Sequence, residues 1–291
     1  MQFRFKKRGS RNDHKCQTTI YLNGGLGNQL FQLAFGIEVS RARNSTLYLN
    51  TTQLDLDIKR NYSLDIFGFP QNEYFEFSGS RITLISQPEK CNCEPIEIRE
   101  TNFFYSDHSS QFLKNGNLSV RGYWQSPLYF EKNSDLITSF LNQRLSPQIE
   151  NNYAVMHVRR GDFLNDTRTH EFHGILDIDY YARAVKLISK EIKKMYLVSD
   201  DLIEATKILI QISDLYPEVE FILTEAKMSE LYCISLMAHA KVAIIANSSF
   251  SWWGSYLGLK KSVIAPRKYF SEKTLRINNI SDLYPSGWIL I

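Results

Sequence analysis

The sequence predicts an α/β protein made of two doubly wound, Rossmann-like domains that face each other across a cleft. Three observations carry this. From residue 153 to 265, five short apolar runs rich in β-branched residues alternate with longer amphipathic stretches, the pattern of a parallel sheet with crossover helices. Nearer the start, a strand, a glycine-rich turn, an apolar helix and a second strand follow one another over residues 18–49, which is a βαβ unit. Between the two, residues 142–152 are polar and carry Pro147, as a linker does. A chain of 291 residues has room for both domains. The expected boundaries are 18–147 and 148–291, with residues 1–17 as a basic N-terminal extension.

In chain order, residues 1–15 concentrate Arg4, Lys6, Lys7, Arg8, Arg11 and Lys15 without an apolar run. They read as a tail able to touch anionic lipid, or as an inert terminus. Residues 18–22 are β-branched, aromatic and apolar, hence a strand. Gly24, Gly25 and Gly27 then make a tight turn, and Leu30, Phe31, Leu33, Ala34, Ile37 and Val39 give a largely buried helix to about Arg43. Such a turn offers bare backbone N–H groups at a helix N-terminus. It is not a dinucleotide fingerprint, because Leu30 stands where the third glycine belongs. Asn28 can donate to a phosphate or sugar and accept from a hydroxyl. Residues 53–145 are less regular, with aromatic pieces at 62–70, 74–77 and 122–126 that are read first as core and second as sugar-stacking rings.

The central strand is expected at 153–158 and ends by Gly161, with Arg159 and Arg160 at its carboxyl end. Ligands bind at that end of an open parallel sheet, and paired guanidiniums suit bidentate recognition of phosphate or carboxylate. Strand neighbours point to opposite faces, so one of the two arginines is open to a structural role, or both to a surface pairing with Asp162. Helices are expected over about 179–194, 201–213, 228–239 and 250–258, and strands over 195–199, 218–223, 242–246 and 262–265. Asp177 reads as the N-cap ahead of Tyr180. The turns at 199–201, 224–225 and 247–249 fall along one rim. There Ser248 and Ser249 form either a phosphate cradle or a plain helix cap.

Composition narrows the function classes. With 43% hydrophobic and 22% charged residues and no membrane-length apolar run, this is a folded, soluble chain. A net charge of +3 does not argue for nucleic acid. Cys16, Cys91, Cys93 and Cys233 make neither a zinc framework nor a disulfide scaffold. Without a signal peptide, and with a sequon at Asn247 where a glycan would be disruptive, the expected address is the cytoplasm, with peripheral membrane contact through the tail.

Six segments in order carry a family resemblance: Leu22-Asn-Gly-Gly-Leu-Gly-Asn-Gln-Leu-Phe-Gln32, Gly122-Tyr-Trp-Gln-Ser126, His157-Val-Arg-Arg-Gly-Asp162, Ser199-Asp-Asp201, Asn247-Ser-Ser-Phe-Ser-Trp-Trp253 and Leu283-Tyr-Pro-Ser-Gly-Trp288. Together they resemble glycosyltransferase family 11, the α-1,2-fucosyltransferases, with residues 1–17 outside the resemblance. The resemblance implies a GT-B architecture and an inverting enzyme that needs no metal or other cofactor. It also implies GDP-β-L-fucose as donor, bound mainly by the C-terminal domain, and a galactose-terminated glycan as acceptor. It places Arg159 on the β-phosphate, with His157, Arg160, Asp200, Asn247, Ser248, Ser249 and Phe250, and Gly25 and Gly27 of the first turn, on the donor. Asn28 stands on the reaction side, and Gln29, Trp124 and Gln125 on the acceptor. Asp162 and His173 are candidates for the base that takes the acceptor hydroxyl's proton. Asp55-Leu-Asp57 and Asp177-Ile-Asp179 look like the metal motif of another glycosyltransferase class, but a solvated turn and a helix cap account for them. Acceptor choice is expected within residues 51–130, since variable loops on a rigid scaffold carry recognition. Two alternatives stand beside this reading: a transferase for another linkage or GDP-sugar, and a non-catalytic nucleotide- or glycan-binding module.

Overall fold

The computed structural model describes residues 16–88, 94, 96–112, 114–146, 152–161, 167–225, 228–258, 262–275 and 279–291. The basic tail, the Cys91 and Cys93 pair, residues 147–151 of the linker and Asp162 lie outside the described residues. The chain divides into two compact units, residues 1–144 with 281–283, and residues 145–280 with 284–291.

Unit 1 is built from β1 (Gln17–Tyr21), α1 (Leu26–Arg43), β2 (Thr46–Asn50), β3 (Tyr74–Ser78), β4 (Arg81–Ile85), β5 (Ile96–Arg99), α2 (Ser109–Phe112), β6 (Leu118–Arg121) and α3 (Ser134–Asn142). Its six strands run in the order β4-β3-β2-β1-β6-β5. The four from β2 to β5 are parallel, and β3 with β4 is an antiparallel hairpin on one edge. The stretch that reads as irregular in sequence therefore holds four strands, each only four or five residues long and half-buried. Strands that short give the hydrophobic period little room to show.

Helix α1 is enclosed nearly all round, with thirteen of its eighteen residues buried. It lies so close to the sheet that a Cβ on Gly36 would stand 2.6 Å from Ile20 Cγ1 and 3.0 Å from Leu47 Cδ1. Gly36→Ala is therefore expected to destabilise the protein by about 1–3 kcal/mol through overpacking. A urea midpoint at or above that of the wild type would show that the helix has room to retreat.

Unit 2 contains β7 (Ala154–Val158), α4 (Thr167–His173), α5 (Ile178–Ile188), β8 (Lys194–Ser199), α6 (Leu202–Leu215), β9 (Glu220–Leu223), α7 (Glu230–His239), β10 (Val242–Ile244), α8 (Ser249–Tyr256), β11 (Ser262–Ala265), α9 (Glu272–Leu275) and β12 (Ile289–Leu290). Its sheet is parallel throughout, in the order β12-β11-β10-β7-β8-β9. Every residue of β7 is buried. Ala154, Met156 and Val158 join one core, and Tyr153 and Val155 join the other. Covered faces on both sides explain why these strands read as continuous apolar runs. Helix α5 stops at Ile188 rather than near residue 194, because the chain turns over Ser189–Glu191 and buries Ile192 before β8 begins.

The C-terminal Leu283–Trp288 motif is structural. The Tyr284 hydroxyl donates to the Pro266 carbonyl at 2.9 Å, and the Trp288 ring lies 5.6 Å from Trp252 and 5.7 Å from Tyr284. This aromatic cluster braces α8 from behind and leads into β12, a two-residue strand too short to read in sequence.

Each sheet grows outward from one strand and then restarts on that strand's other side. In unit 1 the restart falls between β1 and β6, and in unit 2 between β7 and β10. Ligand crevices form at such switch points, outside the carboxyl ends of the strands.

Candidate active site

The helices that start at the switch points differ from their neighbours. In unit 2, Asp177, Asp201 and Ser229 cap α5, α6 and α7 with their side chains, and each first turn holds an acidic residue. The N-caps of α1 and α8, Gly25 and Ser248, make no side-chain cap bond, and neither first turn holds an acidic residue. Both helix starts thus keep the positive end of the dipole for an oxygen-rich or anionic ligand. The Asp177 cap is the expected one, with the Tyr180 amide donating to Oδ1 at 2.9 Å.

At the unit 2 switch point, β7 delivers His157, Arg159 and Arg160. The His157 ring is buried 5.8 Å from the Phe250 ring of α8, so it joins the two sides of the crevice. Burial pushes its pKa down to about 4, with Asp200 opposing and Arg159 reinforcing the shift, and the imidazole is neutral at neutral pH. Arg159 reaches the rim, where its Nη1 lies 3.0 Å from Asp200 Oδ2. The Arg160 amide donates to Asp200 Oδ1 at 2.9 Å. Burial alone would raise the Asp200 carboxyl, but Arg159, the Arg160 amide, His157 and the Gly161 amide together hold it below its ordinary value. A carboxylate charged at neutral pH therefore fixes the Arg159 guanidinium.

Four residues expected at the ligand have side chains engaged within the protein. Arg160 turns inward as strand alternation demands: its side chain donates to the carbonyls of Leu176 at 2.6 Å and Arg159 at 3.1 Å and lies 5.9 Å from the Tyr181 ring. It ties β7 to the chain before α5. Asn247 spends its amide on the carbonyls of His173, Gly174 and Tyr269 at 3.1, 3.3 and 3.2 Å, and is a strut. Gln29, fully buried, donates to the Gly24 and Asn61 carbonyls and accepts from the Ser63 amide, so it pins the glycine turn. Trp124 is fully buried against Phe35 and Tyr129. Large rings and amides inside a motif look like binding groups, and sequence does not show that the core already holds them.

The other expected residues fall at the rims. His173 is packed 5.5 Å from Phe270 and lines, with Asn247, Arg183 and Arg267, a cavity of about 520 Å³. Ser248 and Ser249 open α8, with Phe250 behind them. In unit 1, Gly25 caps α1 and Gly27 is buried in its first turn. Asn28 Oδ1 accepts from Gln125 Nε2 at 2.8 Å, joining the α1 start to the turn after β6 across the switch point. Gln125 Oε1 is buried with no partner among the described residues. Beside them a cleft of about 310 Å³ is lined by Asn23, Glu100, Phe103 and Tyr123. Glu100 is absent from the sequence reading, because nothing marks it until the end of β5 is placed beside the turn that follows β6.

An Asp-held guanidinium beside an uncapped helix start on one sheet and a polar cleft on another, in one chain, suit a transferase that uses a nucleotide-linked donor. The family description "Glycosyl transferase family 11" matches residues 2–291. This chain belongs to glycosyl transferase family 11. The match takes in the N-terminal residues that the motifs alone leave outside. Among its relatives, an alpha-1,2-colitosyltransferase of Escherichia coli is 31% identical, over 93% of this chain and 97% of that protein. The O-antigen biosynthesis glycosyltransferase WbnK, also of Escherichia coli, is 27% identical, over 92% and 98%. A galactoside 2-alpha-L-fucosyltransferase of Caenorhabditis elegans is 25% identical, over 93% of this chain and 78% of that protein. The family 11 chain has the two Rossmann-like units of the GT-B class, and no helix among its described residues is long and apolar enough to cross a membrane.

Proposed function

We propose that this family 11 protein is an inverting α-1,2-fucosyltransferase that moves L-fucose from GDP-β-L-fucose to the 2-hydroxyl of a terminal galactose. The acceptor is a surface glycan or lipid-linked oligosaccharide. The observation that carries this reading is the Asp200-held Arg159 guanidinium at the β7/β10 switch point, beside an α8 start with no side-chain cap. As the bond from C1 to the phosphate oxygen breaks, negative charge grows on GDP. Arg159 and the α8 N–H groups meet that charge, and fixed donors of this kind need no reorganisation during the reaction. Attack by the acceptor oxygen from the opposite face inverts C1. With a guanidinium and a helix start on the diphosphate, transfer proceeds without a metal ion. The basic tail holds the protein against the cytoplasmic face of an anionic membrane where lipid-linked acceptors stand.

A second donor is favoured by a specific observation, the 31% identity to a colitosyltransferase. Colitose is L-fucose without its 3-hydroxyl. One assay separates the two: GDP release and product linkage with a β-galactoside such as lactose, using GDP-fucose or GDP-colitose, with and without EDTA. The expected result is an α-1,2-linked fucoside, unaffected by EDTA, at a kcat/KM at least about tenfold above that for colitose, since a site built for a hydroxyl rejects its absence. Faster colitose transfer would reassign the donor. GDP binding without transfer from either sugar nucleotide would make the chain a binding module.

A further inference from the structure

Inversion requires a base for the acceptor hydroxyl's proton, and this inference rests on the transferase reading above. We propose that Glu100, just past the carboxyl end of β5, is the catalytic base and that the acceptor sugar lies in the unit 1 cleft it lines.

The cleft has the chemistry of a sugar site. Its volume is about 310 Å³, and its walls include Asn23, Gln53, Phe103 and Tyr123. The Phe103 and Tyr123 rings are stacked, 6.3 Å apart and 18° from parallel, and offer apolar faces to a pyranose. Asn23 Nδ2 reaches Gln53 Oε1 at 3.3 Å, while Asn23 Oδ1 is buried with no partner among the described residues. That oxygen can accept from a sugar hydroxyl.

Glu100 is built into this cleft by an unusual backbone. Its Oε2 accepts from the Tyr123 amide at 2.6 Å and its Oε1 from the Trp124 amide at 2.9 Å. Trp124 has φ 59°, a left-handed conformation that costs a bulky residue energy. Gly122 has φ 155°, and a Cβ there would lie 2.4 Å from Glu100 Cβ. The turn after β6 is thus bent around one carboxylate. A carboxylate has about four lone-pair directions, and two amides leave capacity for a hydroxyl proton.

The surrounding charges leave that carboxylate basic. Burial raises Glu100 to about 7, with the two amides pulling the other way. Arg99 and Arg121 share the cleft, but both are paired with Glu97, at 2.9 and 3.3 Å. The facing phenols of Tyr123 and Tyr129 are themselves raised, chiefly by burial and partly by Glu100, and remain neutral; Asp57 and Arg60 act on Tyr123 with opposite signs. In the reaction, the acceptor O–H proton passes to Glu100 as its oxygen bonds to C1. The electron pair of the C1–O bond leaves with GDP, and Glu100 then returns the proton to water.

The test is steady-state transfer by wild type, Glu100→Gln and Glu100→Asp, using whichever GDP-sugar the wild type turns over and two acceptors, lactose and its analogue fluorinated next to the reacting hydroxyl. Glu100→Gln is expected to lower kcat about 10²–10³-fold with GDP affinity unchanged, and to lose the acid limb that the wild-type kcat/KM shows near pH 7. The fluorinated acceptor, whose hydroxyl ionises more readily, should recover at least about tenfold on Glu100→Gln relative to wild type. Glu100→Asp, which keeps a carboxylate, should fall less and retain the limb. Equal losses on both acceptors with the acid limb intact in Glu100→Gln would make Glu100 a clamp for the turn and overturn its role as base. Activity of Glu100→Gln within threefold of wild type would do the same. A wild type that transfers from neither GDP-fucose nor GDP-colitose would instead overturn the transferase reading itself.

Discussion

Arg159→Ala is expected to lower the transfer rate about 10²–10³-fold with little change in acceptor KM, the loss seen when one fixed donor to developing charge is removed. The geometry gives the reason. Arg159 leaves the end of β7 at the switch point, and Asp200, at the end of the neighbouring β8, holds its Nη1 at 3.0 Å. Its guanidinium is thus positioned before donor arrives, and truncation removes charge and positioning together. Arg159→Lys keeps the charge but not the fork, so it should fall between the two, with weaker GDP binding. Steady-state kinetics with GDP titrations decide the matter. Arg159→Ala turning over within fivefold of wild type would remove Arg159 from the reaction and leave the α8 start to carry the diphosphate.

The parts of this site that were legible in the sequence are those whose signal is local. Residues 153–265 show their architecture because parallel strands covered on both faces become apolar runs, and helices α6 and α7 fall close to where periodicity puts them. The division of labour between Arg159 and Arg160 follows from strand alternation, and the Asp177 cap from its place before an apolar stripe. What was not legible depends on contacts between distant segments. Strands β3 to β6 carry too few residues each to fix a period. Gln29 and Asn247 stand in motifs of binding type, yet their amides are consumed by the carbonyls of Asn61, His173 and Tyr269, which no spacing rule brings near. Glu100 meets the Tyr123 and Trp124 amides 23 and 24 residues later in the chain. Only the adjacency of β5 and β6 reveals it.

Protonation of buried His157 is expected to cost stability as the pH falls. The folded protein holds this buried imidazole at a pKa of about 4 against an ordinary 6.5, chiefly through burial. Below about pH 6.5 the unfolded chain takes up a proton that the folded chain refuses until about pH 4. The contribution of neutral His157 is therefore complete above pH 6.5 and is lost progressively as pH falls through that window, amounting to about 3 kcal/mol at its lower end. Asp200 acts in the same direction further down: its carboxyl lies below the ordinary 3.8, so its contribution is present above that value and is lost as the folded-state carboxylate protonates. Glu100, raised to about 7, acts in the opposite sense over the same window, so His157 is read from a difference. His157→Gln keeps a polar group of similar size without a titrating nitrogen, and the urea midpoint of the wild type, followed by tryptophan fluorescence, should fall relative to that of the variant between pH 7 and 4.5. Parallel falls in both would place the acid-sensitive group elsewhere. The same neutrality serves the proposed chemistry, because a charged His157 would compete with Arg159 for Asp200, and the guanidinium would lose the partner that aims it at the departing diphosphate.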